Sequence, residues 1–333
     1  MKKLMVFAMA AMVALASCSK TELVDNSAPT PISFKAVTGS MTKAEQVSTL
    51  VGTMGVYAFV NDTKDDYFSN VAFSNSGTEN FGTDAQPNNL SIWTGNQYWP
   101  LQSSLDFVVY APQNPTTGQV SYADNVLTVM CDNSGAVESS NIDIDDQTDF
   151  LYGAEYFDGE DGNDSDTNPD GYNKDTPYVP VTLKHALSKI TFNFNGENVT
   201  VNSVSITNPN LKGTYTVDYS TSTPEANWIS TTSHTGDLIL ANSSFDFTST
   251  STSNNTTTTE VMVVPGNVCT ITINYTIEGT LTDLDYVITP TNGAKWDSGN
   301  NYVYDITIGP KEIKFVPTVD PWGQGAEIDV PIN

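Results

Sequence analysis

An acidic segment near the middle of the chain carries oxygen ligands at spacings that could bind a metal ion. Five side chains fall at positions 1, 3, 5, 7 and 12 of a calcium-type loop: Asp164, Asp166, Asn168, Asp170 and Asp175. However, Pro169 replaces the glycine that the turn of such a loop needs, and position 12 is Asp rather than the longer Glu. We therefore interpret the segment 158–171 as a solvated acidic loop, with calcium binding as the less favoured alternative.

Candidate catalytic side chains are few. The two histidines, His185 and His234, lie in no nucleophile or metal-ligand signature. His185 lies among apolar residues, as structural histidines do, and His234 lies in a turn rich in Ser, Thr and Gly. The 39 Asp and Glu residues would allow a glycosidase pair, but no pair stands out. We expect no enzymatic activity and no cofactor.

The most informative reactive group is the thiol of Cys18. It ends a segment that begins with two lysines and continues with an apolar run from Leu4 to Leu15. The run is shorter than the about 20 residues that cross a bilayer, so it indicates an export signal. The ending Ala-Ser-Cys resembles the bacterial lipobox, in which the thiol receives a diacylglycerol and the new amino terminus is acylated, for example with palmitate. We expect an outer-membrane lipoprotein that begins at Cys18; an ordinary secretory signal is the alternative.

The charge of the chain restricts its partners. It has 13 Lys+Arg, all of them lysine, against 39 Asp+Glu, and a net charge of −26. Such a chain repels nucleic acid and anionic lipid, so we expect no nucleic-acid partner. The absence of Arg also argues against a site that clamps phosphates or carboxylates.

The two cysteines beyond Cys18 could form a disulfide. Cys131 and Cys269 both lie in apolar, strand-like runs. Buried free thiols are slightly favoured there, but the sequence does not decide whether the two pair.

Short runs of alternating apolar and polar residues recur along the chain. Examples are the runs 190–194, 271–277 and 302–308. Runs of this kind, separated by Asn, Asp, Gly, Pro, Ser and Thr, predict strands and turns. Helical periodicity is weak, and its best short candidate is 185–188. The sequence therefore predicts an all-β fold of two tandem antiparallel β-sandwich domains, transthyretin- or Greek-key-like in topology.

Several stretches, taken together and in order, resemble one family. They are the lipobox at Cys18, the strand 32–36 followed by Thr42-Lys43-Ala44, the aromatic stretch 92–112, the junction 180–190 and the stretch 296–322. The run His-Ala-Leu-Ser-Lys-Ile at 185–190 is the most specific. On these motifs the chain resembles the fimbrillins, subunits of the type V surface pili of Gram-negative anaerobes.

The resemblance implies a mode of assembly. In the family, a lipoprotein precursor loses its first strand to a trypsin-like protease, and a strand donated by the next subunit fills the groove. The positions that match are the first strand (Ile32, Phe34, Ala36), the cleavage site (Lys43, Ala44) and a terminal donor strand (Ile328, Val330, Ile332). An arginine-specific enzyme would need Arg at residue 43, so either a protease that accepts Lys acts or the strand is retained.

The same reasoning divides the chain into four segments. Residues 1–17 are predicted to be the signal peptide, and residues 18–43 a propeptide that contains the first strand. Residues 44–180 would form the N-terminal sandwich, and residues 181–333 the C-terminal sandwich with the donor strand. The division near residue 180 follows from the polar segment 158–171 and the new strand pattern after it.

We therefore expect a pilus subunit that is tethered to the outer membrane through Cys18, joins other subunits by strand exchange after cleavage, and serves adhesion to host or bacterial surfaces. The chief alternative is a glycan-binding outer-membrane surface lipoprotein. Exposure of Trp93, Trp99, Trp228 or Trp322 in a shallow groove would favour that alternative. A third reading, a carbohydrate-active enzyme, requires two carboxylates that face each other across a cleft.

Overall fold

The computed structural model of the 333-residue chain describes fourteen stretches: residues 28–38, 52–61, 63–80, 89–114, 116, 118–157, 172–196, 198–241, 243–247, 257–267, 269–277, 280–287, 295–308 and 313–322. Across these stretches no helix has the length and apolar character needed to cross a membrane. The regular structure consists of strands and two short 3-10 turns, Ser134–Ala136 and Ile144–Asp146. The predicted all-β class is confirmed.

The first half of the chain contributes eleven strands among the described residues. They are β1 (Pro31–Thr38), β2 (Thr53–Val60), β3 (Asp66–Asn80), β4 (Asn89–Tyr98), β5 (Leu105–Ala111), β6 (Val120–Ala123), β7 (Val126–Asp132), β8 (Val137–Glu138), β9 (Asn141–Ile142), β10 (Leu151–Gly153) and β11 (Val179–His185).

The second half contributes the remaining described strands. They are β12 (Ser188–Gly196), β13 (Val199–Thr207), β14 (Asn210–Asp218), β15 (Ala226–Ser233), β16 (Asp237–Leu240), β17 (Phe245–Phe247), β18 (Thr257–Val263), β19 (Gly266–Asn267), β20 (Thr270–Ile277), β21 (Thr280–Val287), β22 (Lys295–Trp296), β23 (Asn300–Ile308) and β24 (Ile313–Pro321).

Residues 185–188, the best short candidate for a helix, do not form one. β11 ends at His185 and β12 begins at Ser188, with a two-residue bend between them. Ala186 and Leu187 in this bend are fully buried, and the Ala186 amide donates to the Phe150 carbonyl at 2.8 Å. That bond to a distant segment holds the bend in place of a helical turn.

Seven strands of the first half close into a barrel in the order β1-β11-β10-β5-β2-β3-β4. β1 closes it, because it pairs in parallel with β11 and antiparallel with β4. Side chains alternate between interior and exterior along each strand, as the period of two requires. In β11, for example, Val179, Val181 and Leu183 enter the barrel core, whereas Pro180 and Thr182 between them are half-buried.

The second half is built around a core between two further sheets. One has the strand order β18-β12-β23-β24, and the other the order β21-β20-β13-β16-β9-β8, with β17 paired to β13. Phe192 and Phe194 from the first sheet pack in one cluster with Val201, Ile206 and other buried residues of the second. This arrangement is a sandwich of two sheets that share one apolar core.

Strands from the two halves also pair with each other. β7 pairs with β14 in the sheet β15-β14-β7-β6, and β9 pairs in parallel with β16. Parallel pairs also join β1 to β11 and β12 to β23, so the described sheets are mixed rather than purely antiparallel. The four-segment division of the chain stays a prediction.

Candidate functional site

The strand that closes the barrel, β1, carries the predicted removable residues on its buried face. Ile32, Phe34 and Ala36 are all 0% exposed and belong to the barrel core. The sequence pattern that predicted a strand here is simple, because apolar residues occupy every second position. Whether the strand is removed in the assembled protein stays a prediction.

The aromatic ring of Phe34 is the main contact between β1 and the barrel interior. Its centroid lies 4.9 Å from that of Phe73 and 5.1 Å from that of Phe107, and the rings meet edge to face at 89° and 86°. Burying a Phe side chain contributes roughly 1.5–3 kcal/mol, and each such ring pair adds about 0.5–1.5 kcal/mol. A single side chain therefore provides much of the affinity of β1 for its place.

The outward face of β1 contributes less. The Nζ atom of Lys35 lies 5.5 Å from the centroid of the Tyr178 ring. A cation–π contact at a partly exposed site is worth about 0.5–1 kcal/mol. β1 is thus held mainly by its ladder of backbone hydrogen bonds and by its buried face.

The order of strands in the barrel separates β1 from the strand that follows it in sequence. β1 lies between β4 and β11, whereas β2 lies between β5 and β3. Lys43 and Ala44 lie outside the described residues, in the part of the chain that joins β1 to β2. One peptide cleavage in that connection would leave β1 attached to the barrel by non-covalent contacts alone.

Removing β1 would open a space between β4 and β11, which we call the β1 groove. Both flanking strands would then present unpaired backbone N–H and C=O groups, and an extended chain can add to such edges. On the β11 side, Val179 and Val181 face Phe34 and Ala36. On the β4 side, the same two residues face Trp93 and Ser91.

The walls of this groove are the functional residues that sequence reasoning missed. The alternation of Val179, Val181 and Leu183 marked a strand, but no local signal identifies β11 as the parallel neighbour of β1. Ser91 carried no signal at all. Only the long-range pairing of the barrel brings these residues together.

The tryptophans considered as a sugar-stacking platform divide into two groups. Trp93 and Trp99 are 1% and 5% exposed and belong to the barrel core. These two residues are therefore not the exposed tryptophans that the glycan-binding alternative requires. The neighbouring Tyr98 is 48% exposed, and its ring lies outside that core.

Trp228 and Trp322 line a separate cleft of about 690 Å³, together with His185, Glu225, Asp297 and other polar residues. The Trp228 indole N–H donates to the Ala186 carbonyl at 3.2 Å and to Ser298 Oγ at 3.0 Å. The ring of Trp228 is half-buried, so part of its surface borders the cleft.

His185 has the surroundings of a structural residue. Its Nδ1 lies 2.7 Å from Asp149 Oδ2, and its ring stacks on Trp322 at 3.9 Å with an interplanar angle of 8°. The other histidine, His234, is half-buried, and its backbone amide donates to the Pro209 carbonyl at 2.7 Å. These contacts give His185 a role in fixing the end of β11 against the end of β24.

The two cysteines are buried free thiols. Burial raises the pKa of Cys131 well above its usual value, and it raises the pKa of Cys269 to about 12. Both thiols therefore stay protonated near neutral pH and are poor nucleophiles, since the thiolate is the reactive form.

The remaining predicted sites fall largely outside the described residues. These are Cys18, Asp164, Asp166, Asn168, Asp170, Ile328, Val330 and Ile332. Asp175 is described, and its carboxylate accepts from the Lys174 ammonium at 3.0 and 3.2 Å. Within the described stretches, no group of three or more His, Cys, Asp or Glu side chains is placed to hold a metal ion.

Comparisons with known proteins identify relatives of the whole fold. A family model described as fimbrillin-like matches residues 42–322. The sequence matches no curated protein. The solved structures that resemble this chain include two candidate cell adhesion proteins and one fimbrial protein, all from Bacteroides species.

The first, from Bacteroides uniformis, has a TM-score of 0.53 and 19% identity and covers 88% of this chain and 99% of its own. The second, from Bacteroides ovatus, has a TM-score of 0.53 and 13% identity and covers 89% and 99%. The fimbrial protein, from Bacteroides vulgatus, has a TM-score of 0.48 and 14% identity and covers 88% and 99%.

Proposed function

The chain belongs to the fimbrillin-like family, and on this premise we propose that it is a structural subunit of a surface fimbrium that assembles by donor-strand exchange. It would be exported as a lipoprotein, tethered to the outer membrane through Cys18, and cleaved near Lys43. Its partners would be other fimbrial subunits, and its role would be adhesion to host or bacterial surfaces. The proposed role is structural rather than enzymatic.

One observation carries the proposal: β1 closes the barrel but is not a neighbour of β2. β1 is the first described strand and is joined to the barrel's other strands through its connection to β2, so a cut there would convert β1 from a part of the chain into a peptide bound between β4 and β11. The family match begins at residue 42, so β1 lies outside the matched body. This boundary lies within two residues of the proposed cut after Lys43, which supports the view that the family's shared body does not include β1.

The cut would act as a switch through effective concentration. While β1 is covalently attached, it occupies the groove at a high effective concentration, so a strand from another subunit cannot displace it. After cleavage the advantage disappears, because the bound strand can dissociate and is then diluted. The incoming strand gains the same backbone hydrogen bonds and buries its own apolar residues.

The tail of the chain is our candidate for the donated strand. In Glu327-Ile328-Asp329-Val330-Pro331-Ile332, apolar residues occupy every second position. Pro331 lacks one ladder donor, which is tolerated near the end of a strand. A subunit would thus accept a strand at the β1 groove and offer one after β24.

Limited digestion with a Lys-specific protease tests the switch. The uncut precursor should stay monomeric, and cutting after Lys43 should yield strand-linked oligomers. A Lys43→Gln variant should remain monomeric under the same digestion. The matched control is Lys174→Gln, since Lys174 is an exposed lysine whose loss leaves the β1–β2 connection cleavable. This control should form oligomers as the wild type does.

Mass spectrometry of the mature surface form would read its amino terminus directly. Equal oligomer yield from the wild type and Lys43→Gln would show that release of β1 is not the trigger. Retention of β1 in the mature form would instead favour a lipid-bound anchor.

A second candidate function, glycan binding, has one observation in its favour: the cleft that Trp228 and Trp322 line. Trp322 is buried at 9% exposure, but the half-buried indole of Trp228 lies beside carboxylates and amides, which suits sugars because they present apolar ring faces and hydroxyl groups. A Trp228→Ala variant should then lose binding to a glycan array while its oligomers still form. Unchanged glycan binding by that variant would exclude this cleft.

A further inference from the structure

Buried hydrogen-bonding atoms without a partner concentrate beside β1. Among the described residues there are five such side-chain atoms: Asn61 Nδ2, Ser91 Oγ, Trp93 Nε1, Trp99 Nε1 and Asp149 Oδ1. Ser91 and Trp93 belong to β4, and Trp99 follows that strand directly, with its amide donating to the Thr30 carbonyl at 2.9 Å. Three of the five atoms therefore lie along one wall of the β1 groove.

The side chain of Ser91 points into the barrel. Trp93 belongs to the barrel core, and Ser91 precedes it by two residues, so both side chains lie on the same face of β4. Ser91 is 2% exposed. It pairs directly with Ala36, as Trp93 pairs with Phe34.

The two walls of the groove differ in chemistry. On the β11 side, Val179 and Val181 are apolar and fully or almost fully buried. On the β4 side, a hydroxyl and an indole N–H meet no partner among the described residues. A buried polar group without a hydrogen bond costs stability, because it has lost its water and gained nothing in return. The methyl group of Ala36 cannot make that bond, so β1 leaves the wall unsatisfied.

We infer that the β1 groove is built for an incoming strand that carries a hydroxyl or amide side chain opposite Ser91, and that β1 is an inferior occupant. The inference rests on the proposed strand exchange. Directly opposed residues of an antiparallel pair have Cβ atoms about 4.5–5.5 Å apart, close enough for a Ser or Thr hydroxyl to bond across the pair. Such a strand would satisfy Ser91 and outcompete the cleaved β1.

This requirement narrows the class of partner. The tail of this chain offers Ile328, Val330 and Ile332 at alternate positions, and none of them forms side-chain hydrogen bonds. A strand from a second copy of the chain would therefore leave the Ser91 hydroxyl as unsatisfied as β1 does. The favoured donor is a strand from a different subunit, with Ser, Thr or Asn at the position that faces Ser91.

A double-mutant cycle in the intact precursor tests whether the Ser91 hydroxyl lacks a partner, and it requires no strand exchange. Ala36→Ser should lower the unfolding equilibrium constant about tenfold, which corresponds to about 1.4 kcal/mol. The gain should vanish when Ser91→Ala is also present. As a matched control, Lys35→Ser places a hydroxyl on the outward face, and its effect should be the same with either residue at position 91. A gain from Ala36→Ser that survives Ser91→Ala would overturn the inference.

Peptide binding to the cut protein tests the partner. After cleavage and removal of β1, three labelled peptides are compared: residues 28–38, the same peptide with Ala36→Ser, and the tail residues 325–333. The Ala36→Ser peptide should bind about tenfold more tightly than the wild-type peptide, and more tightly than the tail. The difference should be lost on a Ser91→Ala barrel. Equal binding of the first two peptides would overturn the inference, whereas binding of none of them would contradict strand exchange itself.

Discussion

Two strands of the molecule, β1 and β12, have the same pairing geometry but different surroundings. β1 lies between antiparallel β4 and parallel β11, and β12 lies between antiparallel β18 and parallel β23. Each buries phenylalanine in an aromatic cluster, Phe34 in the barrel and Phe192 in the second core. The pairing pattern alone therefore does not distinguish a replaceable strand from a permanent one.

The polar neighbours of the two strands do distinguish them. At β12, Thr191 Oγ1 lies 2.9 Å from Glu260 Oε1 and 2.9 Å from Asn301 Oδ1, which belong to the two flanking strands. Lys189 Nζ pairs with Glu260 at 3.0 Å, and Ser188 Oγ donates to the Asp297 carbonyl at 2.8 Å. At β1, by contrast, Ser91 and Trp93 on the flanking strand have buried atoms without partners.

The two strands also differ in their positions in the chain, and under the proposed exchange this difference would decide which of them can be replaced. β12 continues into β11 through a two-residue bend and into β13 through a short connection, so no single cut could release it. No strand precedes β1 among the described residues, and one connection joins it to β2. Under the proposed exchange, β1 would combine a strong apolar contact with unsatisfied polar neighbours.

The largest expected effect concerns the two phenylalanines. Phe34→Ala and Phe192→Ala should each lower the free energy of unfolding of the precursor by about 3–5 kcal/mol, because each leaves a cavity in a packed core. After cleavage and strand exchange, only the Phe192→Ala penalty should remain, since residue 34 has left the molecule. Urea unfolding of the precursor and of the exchanged product measures both. A Phe34→Ala penalty that persists in the product would show that β1 is retained.

Smaller changes in stability, opposite in sign to each other, are expected for substitutions of a polar residue beside β1 and of a polar residue in β12. Ser91→Ala should raise the stability of the precursor by about 1 kcal/mol, because it removes a buried hydroxyl without a partner. Thr191→Val should lower it by about 1–2 kcal/mol, because the isosteric side chain loses its hydroxyl contacts and deprives Asn301 Oδ1 of its donor, whereas Glu260 keeps its ion pair with Lys189. Thermal unfolding of both variants decides the matter. Effects of the same sign would remove the contrast between the two strands.

The smallest change in stability is expected for a substitution of Asp132, which lies where β7 of the first half pairs with β14 of the second. Burial alone would raise the pKa of Asp132, but hydrogen bonds from Lys212 and Ser134 outweigh it and lower that pKa below its usual value of 3.8. The carboxylate therefore contributes stability above that value, and the contribution is lost as the pH falls through its lowered folded-state pKa.

This contribution should stay under about 1 kcal/mol, because the Lys212 and Asp132 side chains are 46% and 45% exposed and water screens the pair. Asp132→Asn should remove it, so that variant and wild type differ at pH 7 and converge below pH ~3. Urea unfolding at both pH values makes the comparison. A difference that grows on acidification would refute this assignment.

Local patterns of the sequence predicted the all-β class and the buried face of β1. Ile32, Phe34 and Ala36 alternate with Ser33 and Lys35, and a period of two is visible without any knowledge of the partner strands. These features depend on neighbours in sequence, which is why they could be read directly.

The pairing partners could not be predicted in this way. The parallel contact of β1 with β11 joins residues about 145 positions apart, as Phe34 and Val179 show. The bend at 186–187 lies within the best helical candidate of the sequence, 185–188. The hydrogen bond that holds the bend goes to Phe150, far away in sequence, so the local pattern could not reveal it. Ser91 is an ordinary strand residue until the barrel closes and places it opposite Ala36.

The stacking of Trp322 on His185 has a mechanical consequence. His185 is the last residue of β11, which is one wall of the β1 groove, and Trp322 directly follows β24, where the tail begins. If the groove holds one neighbour and the tail holds the other, a pull along the filament enters the subunit at β4 and β11 and leaves it at the end of β24. The seven residues Val179–His185 and the pair of stacked rings then connect the two points directly, in parallel with the backbone pairing of β24 to β23. The stacked rings would therefore carry part of the tension while the filament is stretched.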